Sequence, residues 1–560
     1  MNTVRLCLVL ALTMLGSACS SPTAPIASPN EAATPMAAQS PIPPTVTLAS
    51  RSSPMPQPSA TPAPTFTPAP TFTPTPAATP TALTVVEAPT WFADAVVYQI
   101  FPRSFADSDG DGIGDLNGIT QKLDYIQSLG VTAIWLTPHY PSPSYHGYDV
   151  ADYVSVNPQF GTLEDFKRLV EAVHQRDMRL IIDFVANHTS TQHPFFRDAY
   201  GKPDSAYSKW FLFTNPGNTA YAGFAGLPHM PEWNHNRPEV VDYLIESALF
   251  WLDLGVDGLR CDYAKGVPFA FWQKLRETVK AKHPQAVLLG EVWDGNERVL
   301  ADYFRNGFDA LFDFPWHGMF NGNPERAGDG VLNGERDAGF LRDPYRALQR
   351  VYLPGAHIAR FASNHDTNRI ASEVDGNLAQ MKLAAAAVLL TPGTPFIYYG
   401  EEIGMRGAKG NGAPYWDEYR REPMDWYAGE SGPLMTSWFK PADRYNRPND
   451  GVSVEEQDND PTSLLNTYRK LTALRAAHPA LRSADFALLT QVEGCPACLA
   501  MWRWSTDEVL FVALNFSERP AAPVIDLQSA PVQINGRGQT IWGDTSALEA
   551  WGALVVRWPR

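Results

Sequence analysis

Residues 180–188 read Leu-Ile-Ile-Asp-Phe-Val-Ala-Asn-His, an apolar run that ends abruptly in polar, chemistry-bearing residues. Such a run has the length of one strand buried on both faces, as strands of parallel sheets are. Seven similar runs lie on either side of it: Val96–Phe101, Ala133–Leu136, Gly258–Cys261, Leu288–Glu291, Ala310–Phe314, Ile358–Ala362 and Phe396–Tyr399. Between them stand segments with apolar residues at helical spacing, among them Asp165–Gln175, Val240–Leu254 and Phe271–Lys282. Eight strands alternating with helices predict a (β/α)8 barrel, a TIM barrel, over residues 89–481, with its chemistry at the C-terminal ends of the strands. Residues 188–233, rich in Gly, Pro and aromatics, are too long for an ordinary loop and predict a subdomain inserted after strand three. Thr462–Ala476 reads as the last barrel helix, and the short alternating runs of residues 482–560 predict an antiparallel C-terminal β-sandwich domain.

The N-terminal end differs. Arg5, the apolar stretch Leu6–Leu15 and Gly16-Ser17-Ala18-Cys19 predict an export signal over residues 1–19, with an apolar run too short to span a membrane. Cys19 resembles the acceptor cysteine of a bacterial lipoprotein, although Gly16 stands where Leu is usual. Membrane contact is expected only through that lipid anchor. Residues 20–88 are mostly Pro, Thr, Ala and Ser and predict a linker. Fully extended, it would reach roughly 200 Å at about 3.1 Å per residue. Cys495 and Cys498 sit in a Gly-Pro-containing turn, where an exported chain is expected to form a local disulfide. No second pair exists to complete a zinc site.

A formal net charge of −16 over 560 residues argues against nucleic acid, which is held by clustered Lys and Arg. A neutral partner fits better, and 16 Trp and 21 Tyr provide flat faces for sugar rings. A monomer is expected.

Four motifs follow predicted strands: Asp183-Phe184-Val185-Ala186-Asn187-His188, Gly258-Leu259-Arg260-Cys261-Asp262-Tyr263-Ala264-Lys265, Gly290-Glu291-Val292-Trp293 and Phe361-Ala362-Ser363-Asn364-His365-Asp366. In this order they resemble the conserved regions of the α-amylase family, glycoside hydrolase family 13. The residues carry the logic unaided. Retaining glycoside hydrolysis needs a carboxylate nucleophile and a protonated carboxyl about 5–5.5 Å apart, which neighbouring barrel strands can supply. Asp262 and Glu291 stand one helix-strand unit apart, and Arg260, on the same strand face as Asp262, is expected to keep it ionised. Glu291 is expected to hold its proton in a drier site. The resemblance implies that Asp366 grips sugar hydroxyls and stabilises the transition state. It implies substrate binding by His188 and His365, by Tyr148 and His146 of Tyr145-His146-Gly147-Tyr148-Asp149, and by Lys265 on the leaving side of a long chain.

Asp107-Ser108-Asp109-Gly110-Asp111-Gly112-Ile113-Gly114-Asp115 has the alternating acids of a calcium loop, but Gly118 stands where an EF-hand needs Glu. The resemblance implies one Ca²⁺ held by Asp107, Asp109, Asp111, Ile113 and Asp115. A second site, using Asn187, is not expected, because Gly266 replaces a usual His ligand.

Met230-Pro231-Glu232-Trp233-Asn234, Tyr399-Gly400-Glu401-Glu402-Ile403-Gly404-Met405 and Arg421-Glu422-Pro423-Met424-Asp425-Trp426 are similar to the bacterial intermediary group between oligo-1,6-glucosidases and neopullulanases. The resemblance implies endo-acting cleavage of α-1,4 bonds in starch and maltooligosaccharides. Asp149 and Arg369 pull the other way, resembling a pair with which exo-acting α-glucosidases hold a terminal sugar. Two non-catalytic alternatives stand beside these: a member of the same fold such as the amylase-like ectodomain of amino-acid transporter heavy chains, disfavoured because every catalytic position is filled, and a surface glycan-binding protein, which the anchor and linker would also suit.

Overall fold

A computed structural model of the chain describes residues 85–560 except 87, 323–329, 411, 413 and 414. The signal, the lipidation site and nearly all of the linker lie outside the described residues. The folded body starts slightly earlier than expected: Val86 is buried and its N–H donates to the Pro354 carbonyl (2.9 Å).

Strands β1 (Val97–Ile100), β2 (Ala133–Leu136), β3 (Arg179–Phe184), β4 (Gly258–Cys261), β5 (Val287–Gly290), β6 (Ala310–Phe312), β7 (His357–Phe361) and β8 (Thr394–Tyr398) pair in parallel and close into a barrel, β8 returning to β1. Alternation divides each strand between two cores. Val97, Trp135, Ile181, Leu289, Phe312, Phe361 and Phe396 fill the barrel, while Tyr98, Ile134, Ile182 and Leu288 face the surrounding helices. Local chemistry starts those helices. Thr162 and Asp165 form a reciprocal capping box ahead of Leu163–His174, and Pro238 opens Pro238–Asp253, where its missing N–H costs nothing.

The inserted segment is organised by isolated strand bridges, His188 with Glu232, Phe211 with Trp233 and Phe213 with Tyr221, around packed aromatic rings. The C-terminal region differs from the expected sandwich. It forms one antiparallel sheet in the order β12 (Gln539–Trp542), β13 (Ala553–Pro559), β11 (Glu508–Asn515), β10 (Cys498–Trp504), β9 (Phe486–Leu488). Leu499, Met501, Leu510 and Val512 on one face join the barrel's outer core, while irregular chain carrying Ala521, Ile525, Val532 and Ile534 covers the other face over Trp502 and Phe511. The barrel itself supplies the second layer, so no second sheet is required. The Cys495–Cys498 disulfide is formed beside β10.

Two buried arginines, Arg503 of β10 and Arg475 of the helix Leu464–Ala477, grip one helix end. Arg475 donates to the Leu389 carbonyl (3.0 Å) and Arg503 to that of Leu390 (3.1 Å), at the C-terminal end of the buried helix Leu378–Leu390. Neither has a carboxylate partner among the described residues; the unsatisfied carbonyls and negative dipole of that helix end take its place. Among the described residues, no helix is long and apolar enough to cross a membrane.

Candidate active site

Strand register brings the carboxylates together. In β4, Arg260 lies opposite Asp183 of β3, and Cys261 opposite Gly290 of β5, so Asp262 and Glu291 leave adjacent strands at the same level. Arg260 sits beneath them and is almost wholly enclosed. Its Nη1 donates to Asp262 Oδ1 and to Asp183 Oδ1 (both 2.8 Å), and its Nη2 lies 2.7 Å from Glu291 Oε1. Trp135 and Tyr148 rings flank the guanidinium, at 5.2 and 5.8 Å. Tyr263, directly after Asp262, takes a left-handed backbone (φ 40°) that turns its N–H onto Glu291 Oε2 (2.8 Å). Strain of this kind in a non-glycine residue persists only where its surroundings hold it.

Asp366 completes the group from the end of β7 and is the most open of these acids. Arg421 Nη2 donates to its Oδ1 (2.9 Å), Arg420 Nη1 donates to its carbonyl (2.7 Å), and His365 Nε2 lies 3.0 Å from its Oδ2. Tyr148 stacks on His365 (5.4 Å, 11°), and its hydroxyl meets both Asp183 Oδ2 (3.0 Å) and His365 Nε2 (2.5 Å). The Gln99 amide faces His365 Nδ1 at 2.7 Å. With that amide donating, the imidazole proton sits on Nε2, toward Asp366 and the cleft.

Burial pushes Asp183, Asp262 and Glu291 each up to about 7, with Arg260 pulling all three back and neighbouring carboxylates adding to the rise. The expectation that Arg260 keeps Asp262 ionised is corrected in degree: burial outweighs the guanidinium, which is shared by three acids, and they titrate as a set. Burial also lowers His146 and His188 to about 3 and His365 well below its ordinary value, leaving neutral imidazoles suited to uncharged hydroxyls. His188 stacks on Phe224 (4.6 Å), and His146 Nδ1 accepts the Tyr148 N–H (3.1 Å). Lys265 reaches Asp294 Oδ2 (2.8 Å) and the Trp293 carbonyl (3.3 Å), beside the strand-five motif.

The expected pair of Asp149 and Arg369 is not assembled. Asp149 is buried and its two oxygens accept the Ser142 and Ser144 hydroxyls (2.5 and 2.7 Å). Arg369 is buried against the Tyr398 and Tyr399 rings and donates to the Tyr399 and Arg420 carbonyls (2.7 and 3.0 Å). It shapes the loop; the guanidinium that reaches the third acid belongs to Arg421. Asp183, Gln99 and Arg421 had no role in the sequence reading. Gln99 left one signal, a lone amide in the inward register of an apolar strand, and Asp183 and Arg421 stood inside motifs noted for other residues.

In the loop after β1, carboxylate oxygens of Asp107, Asp109 and Asp115 lie within 4.8 Å of one another. Asp107 also accepts the N–H groups of Gly110 and Gly112 (both 2.7 Å), which fixes the turn. Asp111, expected as a further ligand, stands outside this cluster, its Oδ1 accepting the Ile113 N–H (2.7 Å). At the doubted second site, a Cβ on residue 266 would meet Asn187 Oδ1 and the Tyr263 ring as they now stand.

Comparison with known proteins agrees with this geometry. The family described as "Alpha amylase, catalytic domain" matches residues 99–484. Alpha-amylase 3 of Dictyoglomus thermophilum is 37% identical over 415 residues, covering 70% of this chain and 79% of that protein. A probable oligo-1,6-glucosidase 2 of Bacillus subtilis is 31% identical, covering 77% and 91%. The crystal structure of an α-amylase from H. orenii superposes with a TM-score of 0.70 at 34% identity, covering 83% of this chain and 99% of that one. With the barrel, the carboxylate group and these relatives in agreement, the chain belongs to the α-amylase family, glycoside hydrolase family 13, and is a glycoside hydrolase acting on α-glucans.

Proposed function

We propose that this enzyme cleaves α-1,4 bonds within starch and maltooligosaccharide chains with retention of configuration. The sharing of Arg260 by Asp262 and Glu291 carries the reading: both carboxyls lie within reach of one guanidinium, which suits a retaining pair at about 5–5.5 Å better than the wider spacing that admits a water between them. Glu291 donates its proton to the glycosidic oxygen as the Asp262 carboxylate attacks the anomeric carbon, releasing the first product and leaving a glycosyl ester. Glu291, now ionised, takes a proton from water as that water attacks the same carbon and frees Asp262. Asp366, held by Arg421, accepts hydrogen bonds from sugar hydroxyls that tighten as charge develops on the ring.

Endo action is supported by the fate of the residues that favoured an exo-enzyme, since Asp149 and Arg369 are both occupied by the protein itself. Early digestion of long amylose is expected to abolish iodine staining rapidly and release mixed maltooligosaccharides, followed by chromatography over time. Glucose alone, appearing while staining persists, would mark an exo-acting α-glucosidase.

We further propose one Ca²⁺ on Asp107, Asp109 and Asp115, a set of hard oxygen donors of the kind that ion takes. The loop carries none of the catalytic acids, and it packs on a later segment through Ser437 N to the Gly112 carbonyl (2.8 Å) and Asp107 N to the Leu434 carbonyl (3.0 Å). Removal of the ion with a chelator is therefore expected to lower the Tm, with restoration by added calcium. An unchanged Tm, with no calcium in the purified protein, would count against the site. Export and anchoring through Cys19 belong to the same proposal, supported by the signal-like N-terminus and the Pro/Thr-rich tract.

A further inference from the structure

The inserted subdomain carries a cleft of about 300 Å³ that shares no residue with the carboxylate group. Thr191, Phe196, Arg197, Tyr200 and Tyr221 line it. Its walls are aromatic and rigidly mounted. Phe196 is buried and packs edge-on against Tyr221 (4.8 Å, 74°), and Tyr200 meets Tyr221 at 6.1 Å and 83°, so the two tyrosine faces form a corner. The Tyr221 hydroxyl is tied back to the Pro228 carbonyl, which holds its ring in place. Tyr200 itself is 46% exposed, high for a ring of its size in a subdomain otherwise packed with aromatics. Beside it stands Arg197, exposed and without an ion-pair partner among the described residues, although Asp198 next to it is taken by Ser205 and Lys202.

An aromatic corner with one free guanidinium and a threonine hydroxyl has a specific chemical preference. The C–H face of a pyranose packs on a flat ring, and its hydroxyls accept from a forked donor. One cation in an otherwise apolar wall is too little for a polyanion. The volume is at the low end for ligand sites, about 300–1,000 Å³, which fits a short stretch of sugar chain. The substrate supplies the occupant: α-glucans are long enough to touch the protein at two places. The cleft lies on the segment that follows β3. Thr191 N donates to the His229 carbonyl (3.1 Å) and Thr189 N to the Pro231 carbonyl (3.0 Å), so the segment lining the cleft is tied to the chain that runs back to the His188–Glu232 bridge.

We propose that this cleft is a second, non-catalytic α-glucan site, in which Tyr200 and Tyr221 stack a glucosyl unit and Arg197 binds its hydroxyls. It rests on the α-glucan substrate and not on the choice between endo and exo action. Two sites on one polymer raise effective concentration at the catalytic cleft, so long or insoluble substrates gain and short ones do not.

The test uses the full chain carrying Tyr200→Ala, Tyr200→Phe or Arg197→Gln, with sedimentation on granular starch, kinetics on granular starch and on maltotriose, and thermal denaturation. Tyr200→Ala is expected to weaken starch sedimentation and raise the half-saturating amount of granular starch by about tenfold, which corresponds to about 1.4 kcal/mol. Maltotriose kcat/KM and Tm should stay unchanged. Tyr200→Phe, which keeps the ring, should bind starch as the native enzyme does, and Arg197→Gln should fall between them. Native-like sedimentation by Tyr200→Ala overturns the proposal, as does an equal loss on maltotriose at unchanged Tm, which would make Tyr200 part of the catalytic cleft. If Tyr200→Ala lowers the Tm, the exposed Arg197 decides through Arg197→Gln: native starch binding by that variant overturns the proposal.

Discussion

Asp262→Asn and Glu291→Gln are each expected to lower turnover on starch by several orders of magnitude while the fold persists. Each change removes a charge or a transferable proton and hardly any volume, so the loss falls on the chemical steps. The stability of the two variants makes the claim sharper. Burial raises both carboxyls to about 7, above their ordinary 3.8 and 4.5. The folded state therefore binds more protons than the unfolded chain between those values, and native stability falls as pH rises through that window, the cost being complete above about 7. A neutral amide removes that cost. Either variant should match or exceed the native Tm at about pH 8, with the advantage shrinking as pH is lowered toward about 4. The roles can also be separated. α-Maltosyl fluoride has a leaving group that needs no proton, so Glu291→Gln should keep a much larger share of activity on it than on starch, and Asp262→Asn should not. Near-normal starch hydrolysis by either variant would remove that residue from the mechanism.

Arg260→Met should be the most destabilising single change in the site. Arg260 is the shared partner of Asp183, Asp262 and Glu291, and truncating one member of a buried ionic group leaves uncompensated charge, at a cost of about 3–5 kcal/mol. The deficit depends on pH in a defined sense. Without the guanidinium the three carboxyls rise further above about 7, so the variant suffers most where the native acids are ionised and recovers as falling pH protonates them. Thermal denaturation of both proteins from about pH 5 to about pH 8 reads this directly. A Tm deficit that does not change with pH would reduce Arg260 to a packing residue between Trp135 and Tyr148.

The barrel was legible in the sequence because its signals are local. Apolar runs of strand length, helical periodicity between them and polar residues at the run ends each depend on a few neighbouring residues, and all eight strands lie within a residue or two of their expected places. Two of the candidate acids were legible for the same reason: Asp262 directly follows β4 and Glu291 directly follows β5, and a residue in that place points at the mouth wherever the loops go. Asp366 lies further along, in the loop after β7, and is held toward them by Arg421 and His365.

What the local pattern could not contain is which long-range partner each polar group takes. Arg369, three residues from Asp366, turns away to cap carbonyls of the loop after β8, and Arg421, 55 residues from Asp366, arrives in its place. Asp149 is spent on two serines of its own loop, and one buried Arg260 serves not only its sequence neighbour Asp262 but also Asp183 and Glu291 from the adjacent strands. The C-terminal strands likewise formed one sheet because the barrel's outer core was there to cover them. In each case a buried polar or apolar group had to find a partner, and the partner it found was set by barrel closure and loop packing, which join residues far apart in the chain, while the alternating pattern that built the strands extends only a few residues in either direction.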